Sequence, residues 1–177
     1  YIPMLPKEPA AGHAPADGPL DPILWTHHRS RSREAEAYRG VRTALYFSTH
    51  GAGHKVIQVT SPNTGDGKST LAANLAVSIA QSGKKTLLID ADLRRPQVAR
   101  LFGVTGDVGL SSIIAGWVEP LEAIRDSGVS HLSVLPCGPT PPNPAELLTS
   151  PRFKQMLDVL RHQYEFVVID TPPLLAL

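Results

Sequence analysis

The sequence predicts a three-layer α/β fold built on a mainly parallel β-sheet. Two observations lead to this prediction: short apolar stretches alternate with longer segments of helical periodicity, and each apolar stretch runs into a polar or proline- and glycine-rich turn. Strands that are apolar throughout belong to sheets covered by helices on both faces. In such folds the functional site lies at the carboxyl ends of the strands.

Length and composition limit the kinds of protein that this chain can be. Its 177 residues suffice for one domain with a substantial core. The formal net charge of +1 gives no reason to expect a nucleic acid as partner. A single cysteine, Cys137, excludes a disulfide framework and a cysteine-clustered metal site. No apolar run approaches the roughly 20 residues that cross a bilayer.

Two regions of different composition follow each other. Residues 1–33 are rich in proline, which breaks any periodicity, and they predict a flexible tether. Residues 34–177 are predicted to form the folded domain. Its first helix carries Tyr38, Val41 and Leu45 on one face and is expected to end at residues 51–53, where two glycines occur.

The other elements alternate between strands and helices. The predicted strands cover residues 55–60, 86–89, 132–135 and 166–169. A long helix follows the first strand and ends near residues 82–83, and short helical or looped pieces cover residues 95–122. Helical signals run over residues 145–161, with an interruption at Pro151.

A phosphate-binding loop connects the first of these strands to the long helix. Residues 61–70 read Ser-Pro-Asn-Thr-Gly-Asp-Gly-Lys-Ser-Thr. The two glycines allow backbone N–H groups to approach phosphate oxygens, and the helix directs its positive end at the same anion. Lys68 is expected to reach the terminal phosphates of a nucleotide, and the Ser69 hydroxyl to ligate Mg²⁺. The predicted nucleotide-binding residues are Asn63, Thr64, Gly65, Asp66, Gly67, Lys68, Ser69 and Thr70.

Carboxylates follow two other predicted strands. Asp90 and Asp92 end the second strand, and Asp170 ends the last one. Because residues two apart in a strand point the same way, Asp90 and Asp92 are expected to aim at one small volume. One of the three carboxylates is also a candidate to orient an attacking hydroxyl or accept its proton. Arg94 and Arg95 are either charge-neutralising groups or ordinary surface arginines. The predicted metal ligands are Ser69, Asp90, Asp92 and Asp170.

The combination resembles the Walker A, Walker A′ and Walker B motifs of the bacterial tyrosine kinases (BY-kinases) of the capsular exopolysaccharide family. The resemblance covers residues 34–173 and includes the segments 90–96, 109–111 and 135–148. It implies a protein-tyrosine kinase that uses ATP and Mg²⁺, with Lys68, Asp90 and Asp92 as catalytic residues. It also implies phosphorylation between subunits, in the regulation of exopolysaccharide or capsule synthesis and export.

The resemblance extends to assembly and location. Glu36, Arg39 and Arg42 match a Glu-x-x-Arg-x-x-Arg motif that joins subunits of this family into a ring. Without the resemblance they read as an exposed helix face with an ion pair. Residues 1–6 are similar to the segment that follows the second membrane helix in such proteins. The implied location is the cytoplasmic face of the bacterial inner membrane, beside a polysaccharide co-polymerase segment in the same or a partner chain.

Two alternatives remain open from the residues. One is an ATPase switch of the ParA or MinD type, although Asn63 stands where those proteins usually have a lysine. The other is an ATP-binding regulatory subunit of a polysaccharide export machine that phosphorylates no tyrosine. The BY-kinases carry a tyrosine-rich tail, whereas the four tyrosines here do not cluster. The sequence also stops a few residues after Asp170, so the fold is expected to lack its C-terminal strands and the tail.

Overall fold

Strands and helices alternate along the part of the chain that the computed structural model describes, residues 20–49 and 55–174. The helices are α1 (Trp25–His28), α2 (Arg33–Ser48), α3 (Lys68–Gln81), α4 (Val98–Phe102), α5 (Leu110–Ile114), α6 (Pro120–Ala123), α7 (Pro144–Leu148) and α8 (Pro151–Gln163). The strands are β1 (Lys55–Val59), β2 (Thr86–Asp90), β3 (Arg125–Asp126), β4 (Leu132–Leu135) and β5 (Phe166–Asp170).

The strands form one sheet in the order β1-β5-β2-β4-β3. All neighbouring pairs are parallel except β3 with β4, so the predicted mainly parallel sheet is confirmed. β5, the last strand among the described residues, lies between β1 and β2. Its register places Asp170 opposite Val59 on one side and opposite Asp90 on the other. The carboxyl ends of β1, β5 and β2 therefore meet at one edge of the sheet.

Helices cover the central strands on both faces. On one face Leu88 and Val168 pack with residues of α3 and α4. On the other face Leu87 and Val167 pack with residues of α5 and α8. All four side chains are fully buried, and burying each aliphatic side chain contributes about 1.5–3 kcal/mol. The three-layer architecture follows from strands that are apolar on both faces.

The observed elements differ from the predicted ones at a few points. β2 and β5 each include their terminal aspartate. The predicted interruption of the helical region 145–161 is confirmed, since the region divides into α7 and α8. Ser150 caps α8 by accepting a hydrogen bond from Phe153 N, and Pro151 is the first helical residue. β3 was not predicted, because two residues give no periodic signal. The predicted helix end at residues 51–53 lies outside the described residues.

Residues 20–33 belong to the packed domain, so the predicted flexible tether is wrong for this part. Leu24 and Thr26 are buried, and the Thr26 backbone N–H donates to Asn74 Oδ1 at 3.1 Å. Asp21 pairs with Arg100 of α4 at 2.5 Å. Proline-rich composition predicted flexibility, but a few apolar side chains and one buried polar contact outweigh it. Residues 1–19 of the predicted tether lie outside the described part.

We predict that Asn74→Ala destabilises the protein by about 2–4 kcal/mol, because it leaves buried polar groups unpaired. The Asn74 side chain accepts from Thr26 and donates to the carbonyl oxygens of Ile23 and Thr70. Urea denaturation measures the loss, and hydrogen exchange of the Thr26 amide should quicken. Asn143→Ala, at an exposed site, is the control. A loss below about 0.5 kcal/mol for Asn74→Ala would contradict the prediction.

Candidate active site

The predicted phosphate loop connects β1 to α3 and surrounds a cavity. Gly65 and Gly67 have φ angles of 90° and 82°, a left-handed conformation that side-chain-bearing residues rarely adopt. Gly67 lies directly before α3, so the first N–H groups of this 14-residue helix face outward without helical partners. The cavity has a volume of about 270 Å³. It is lined by Thr64, Gly65, Gly67, Lys68, Ser69, Thr70, Asp92, Arg95, Gln97 and Pro173.

Two of the predicted nucleotide-binding residues are engaged within the loop itself. The Asp66 carboxylate accepts a hydrogen bond from Asn63 N at 2.9 Å, and Ser61 Oγ donates to Asn63 O at 2.8 Å. These bonds hold the loop in its turned conformation. The structure therefore brings six of the eight predicted residues to the cavity and gives Asp66 a contact that shapes the loop.

Lys68 lies between two carboxylates at the strand ends. Its Nζ is 2.6 Å from Asp170 Oδ1, 3.0 Å from Asp92 Oδ2 and 3.4 Å from Ser69 Oγ. All three charged side chains are buried. Burial disfavours the ammonium, but hydrogen bonds and charge attraction from Asp170 and Asp92 outweigh it and raise the pKa of Lys68. The group is therefore a firmly charged cation held by two anions.

The side chain of Asp90 does not line the cavity, and its carboxylate faces backbone N–H groups. Its Oδ2 accepts from the N–H groups of Gln97 and Val98, each at 2.9 Å, and its Oδ1 accepts from Asp92 N at 3.2 Å. The side chain is fully buried, and this burial raises the pKa of Asp90 to about 7. The expectation that Asp90 and Asp92 aim at the same volume is wrong. β2 ends at Asp90, and the two-residue alternation of a strand does not continue beyond it.

The residues around Lys68 fit a hard divalent cation. Asp170 Oδ2 is buried and has no hydrogen-bond partner among the described residues, and Asp92 Oδ2 and the Ser69 hydroxyl lie on the same ammonium. No cluster of three or more histidine, cysteine or acidic side chains suited to a metal occurs in residues 20–49 and 55–174. A nucleotide-bound Mg²⁺ needs only one or two carboxylates, because phosphate oxygens and waters complete its coordination.

Three residues of the cavity wall lie outside the predicted nucleotide-binding and metal-binding sets. Gln97 and Pro173 line the cavity without belonging to a predicted set. Arg95 also lines it, and its backbone N–H donates to Asp92 Oδ1 at 3.1 Å. Pro173 follows Asp170 closely along the chain, so its position could have been expected from the acidic strand end. Gln97 comes to the cavity through the turn that Asp90 holds.

The predicted interface residues divide into two groups on α2. Arg39 pairs with Glu36 at 2.6 Å and donates to the carbonyl oxygen of Ser30, on the outer surface. Arg42 turns inward and donates to the carbonyl oxygen of Ser78 in α3 at 2.7 Å. Its Nε is buried without a hydrogen-bond partner among the described residues. Glu36 and Arg39 therefore remain the outward members of the predicted motif.

Two of the segments that carry the family resemblance pack against each other beside the carboxylates. The N–H groups of Leu110 and Ser111 donate to the carbonyl oxygens of Pro136 and Cys137, at 2.8 and 2.9 Å. A side chain at Gly109 would place Cβ 2.2 Å from the Pro136 oxygen, so only glycine fits there. Burial raises the pKa of the Cys137 thiol to about 12, and the negative charges of Asp90 and Asp92 contribute to this rise. We therefore expect the buried Cys137 thiol to be unreactive.

Comparisons with known proteins identify close relatives. The chain is 40% identical over 151 residues to a putative tyrosine-protein kinase, CapB, of Staphylococcus aureus, covering 85% of this chain and 66% of CapB. It is 46% identical over 146 residues to the tyrosine-protein kinase YwqD of Bacillus subtilis, covering 82% of this chain and 62% of YwqD. The kinase domain of the Escherichia coli tyrosine kinase ETK superposes with a TM-score of 0.88 at 34% identity, covering 99% of this chain and 69% of that domain.

The chain spans about two thirds of the length of these curated relatives. It matches a much smaller share, 19%, of the putative tyrosine-protein kinase EpsB of Ralstonia solanacearum, at 42% identity over 141 residues. The same stretch of sequence therefore occurs both in relatives of which it is the larger part and in a much longer chain of which it is a small part.

A family model and a more distant structure define the wider relationship. The ParA model, described as NUBPL iron-transfer P-loop NTPase, matches residues 53–175. The cell division ATPase MinD of Pyrococcus furiosus superposes with a TM-score of 0.60 at 28% identity, over 69% of this chain and 51% of MinD. Identity and structural similarity are both higher for the tyrosine kinases. The chain belongs to the bacterial tyrosine kinase family, on the fold of the ParA-like P-loop NTPases.

Proposed function

We propose that this chain is the kinase domain of a protein that transfers the γ-phosphoryl group of ATP to tyrosines of neighbouring subunits. The proposed role is the regulation of exopolysaccharide or capsule synthesis and export. The observation that carries the proposal is the convergence of Lys68, Asp92 and Asp170 beside the phosphate loop. The identity to proteins named as tyrosine-protein kinases supports it.

The proposal assigns the triphosphate of ATP to the cavity of the phosphate loop. Gly65 and Gly67 leave the backbone open to approach, and the N–H groups of Lys68, Ser69 and Thr70 start α3. Unpaired N–H groups and the helix dipole favour phosphate oxygens at this position. Lys68 has to leave the carboxylates to place its ammonium on the terminal phosphates, which requires only rotations of its flexible side chain.

We assign Mg²⁺ to the Ser69 hydroxyl and the carboxylates of Asp92 and Asp170. When bound, Mg²⁺ would neutralise charge on the phosphates during transfer. The unpaired Asp170 Oδ2 supports this assignment, because a buried carboxylate oxygen without a donor is suited to a cation. Asp90 stays a predicted member of the set, although backbone N–H groups occupy its oxygens.

Asp92 is our candidate for the group that orients the attacking tyrosine hydroxyl or accepts its proton. It lines the cavity, whereas Asp90 is enclosed by the turn that follows β2. Phosphoryl transfer asks for little covalent chemistry from the protein, so positioning and charge supply most of the rate. In this assignment Asp90 acts as a positioning residue, since it fixes the turn from Asp92 to Val98.

Other functions of the same fold have less support. An ATPase switch of the MinD type usually carries a lysine where this loop has Asn63, and the MinD similarity is the weaker one. Iron transfer, named in the family model, finds no thiol pair here, because the chain has one cysteine and Cys137 is buried. A regulatory subunit that binds ATP without phosphorylating tyrosine differs only in the absence of phosphotyrosine.

We further propose a ring of subunits at the inner membrane, in contact with a polysaccharide co-polymerase segment. Glu36 and Arg39 lie on the outer surface of α2, where a second subunit can reach them. Among the described residues, no helix is both long and apolar enough to pass through a membrane. The proposed membrane attachment is assigned to the co-polymerase segment, in the same or a partner chain.

We predict that Lys68→Met in the full-length protein lowers tyrosine phosphorylation by about 10²–10³-fold or more, because it removes the ammonium that stabilises negative charge on the transferred phosphoryl group. Labelled ATP and mapping of phosphotyrosine by mass spectrometry measure the effect. Lys84→Met is the matched control, since Lys84 forms an exposed pair with Glu165 far from the loop. Phosphotyrosine at the wild-type level in Lys68→Met would refute the kinase assignment, and its absence in the wild type would favour the regulatory subunit.

A second prediction separates the two aspartates. Asp92→Asn should lower phosphorylation by about 10²-fold while stability changes by no more than about 1 kcal/mol, because Asp170 still pairs with Lys68. Asp90→Asn should cost about 1–3 kcal/mol of stability, because an amide N–H₂ then faces a backbone N–H. Thermal unfolding and kinase assays on both variants decide the matter. If Asp90→Asn were inactive at wild-type stability, Asp90 would be the group that acts on the hydroxyl.

A third prediction concerns the ring. Replacing both Glu36 and Arg39 with alanine should turn the oligomer into monomers in sedimentation velocity, with the free energy of unfolding changed by less than about 1 kcal/mol. The exposed pair of Asp158 and Arg161 on α8 has the same spacing, so its double alanine variant is the control. An unchanged oligomer in the Glu36 and Arg39 variant would show that this face is a solvated surface.

A further inference from the structure

The side chains that touch the Lys68 ammonium are those assigned to the metal. Nζ lies 2.6 Å from Asp170 Oδ1, 3.0 Å from Asp92 Oδ2 and 3.4 Å from Ser69 Oγ. One cation thus occupies the position that the proposed function gives to another. Mg²⁺ binds oxygens at about 2.0–2.1 Å, and an ammonium in contact with the same oxygens leaves no room for it.

We infer that Lys68 serves as a built-in cation which holds the metal position, so that metal and triphosphate enter by exchanging with it. The inference rests on the proposed function, because it uses the same ligands. Asp92 and Asp170 are both buried. Two buried carboxylates without a cation repel each other and lack solvation, so a positive group between them is strongly favoured over an empty position.

The exchange couples the two ligands of the site. A divalent cation that arrives alone has to expel Lys68, and apart from Asp92, which the metal would then hold, no acidic side chain of the described residues lines the cavity to receive the ammonium. A triphosphate on the loop N–H groups supplies that anion and draws Lys68 away from the carboxylates. Each ligand therefore removes the obstacle to the other, and such coupling is reciprocal by thermodynamic necessity.

The inference predicts that one substitution at Lys68 changes the affinity for ATP and the affinity for a metal ion in opposite directions. Lys68→Met should weaken ATP binding, because a phosphate partner is lost, yet it should strengthen the binding of a metal ion in the absence of nucleotide. We expect full-length Lys68→Met to bind Mn²⁺ at least tenfold more tightly than the wild type. Titration of Mn²⁺ followed by electron paramagnetic resonance of the free ion measures both affinities.

Arg95→Met controls for the simple loss of a nearby positive charge. Arg95 lines the same cavity and contacts Asp92 through its backbone N–H, so its substitution should change Mn²⁺ affinity by less than threefold. The double variant Lys68→Met, Asp170→Asn should lose the gain. A gain below threefold for Lys68→Met, or an equal gain for Arg95→Met, would overturn the inference.

Two further measurements keep the test decisive. If Lys68→Met does not fold without metal, its melting temperature is followed against Mn²⁺ concentration. A melting temperature that rises with Mn²⁺ in the variant but not in the wild type supports the exchange, and an unaffected variant overturns it. Calorimetry of ATP with Mg²⁺ on the wild type tests the proposed function separately, since that binding does not depend on how metal alone behaves.

Discussion

The contact of one buried ammonium with two buried carboxylates is the interaction on which the rest of this site depends. Lys68 starts α3, Asp92 follows β2, and Asp170 ends β5. The three meet because β5 lies between β1 and β2 with Asp170 level with Val59 and Asp90. A shift of the β5 register by one residue would turn Asp170 to the other face of the sheet and leave a buried charge unpaired.

The fold class, most elements and the phosphate loop could be predicted because each leaves a local pattern. Uninterrupted apolar strands predict the parallel sheet, and the two glycines before Lys68 predict the phosphate loop. Strand order leaves no such pattern: nothing in residues 166–170 says that they lie between β1 and β2. The packing of residues 20–33 was hidden for a related reason, because it depends on Leu24, Thr26 and the distant Asn74.

The two aspartates after β2 show where an argument from periodicity fails. Alternation is a property of extended backbone, and β2 ends at Asp90. Beyond it the chain turns, so Asp92 reaches Lys68 while Asp90 binds the N–H groups of Gln97 and Val98. The sequence thus located both carboxylates at the correct edge of the sheet. Their separate positions, one at the cavity and one in the turn, depend on the path of the chain after β2, which no periodicity predicts.

The contact of Lys68 with Asp92 and Asp170 alone does not distinguish a kinase from a switch ATPase, because both use the same P-loop fold. A kinase also has to position a hydroxyl from another protein segment, whereas an ATPase positions water. Segments 109–111 and 136–139 pack tightly against each other: Gly109 allows a contact that any Cβ would block, and Ser111 donates hydrogen bonds to the carbonyl oxygens of Cys137 and Pro139. On the proposed function the tyrosine hydroxyl has to reach Asp92, which lines the cavity together with Arg95, Gln97 and Pro173, whereas segments 109–111 and 136–139 do not line it.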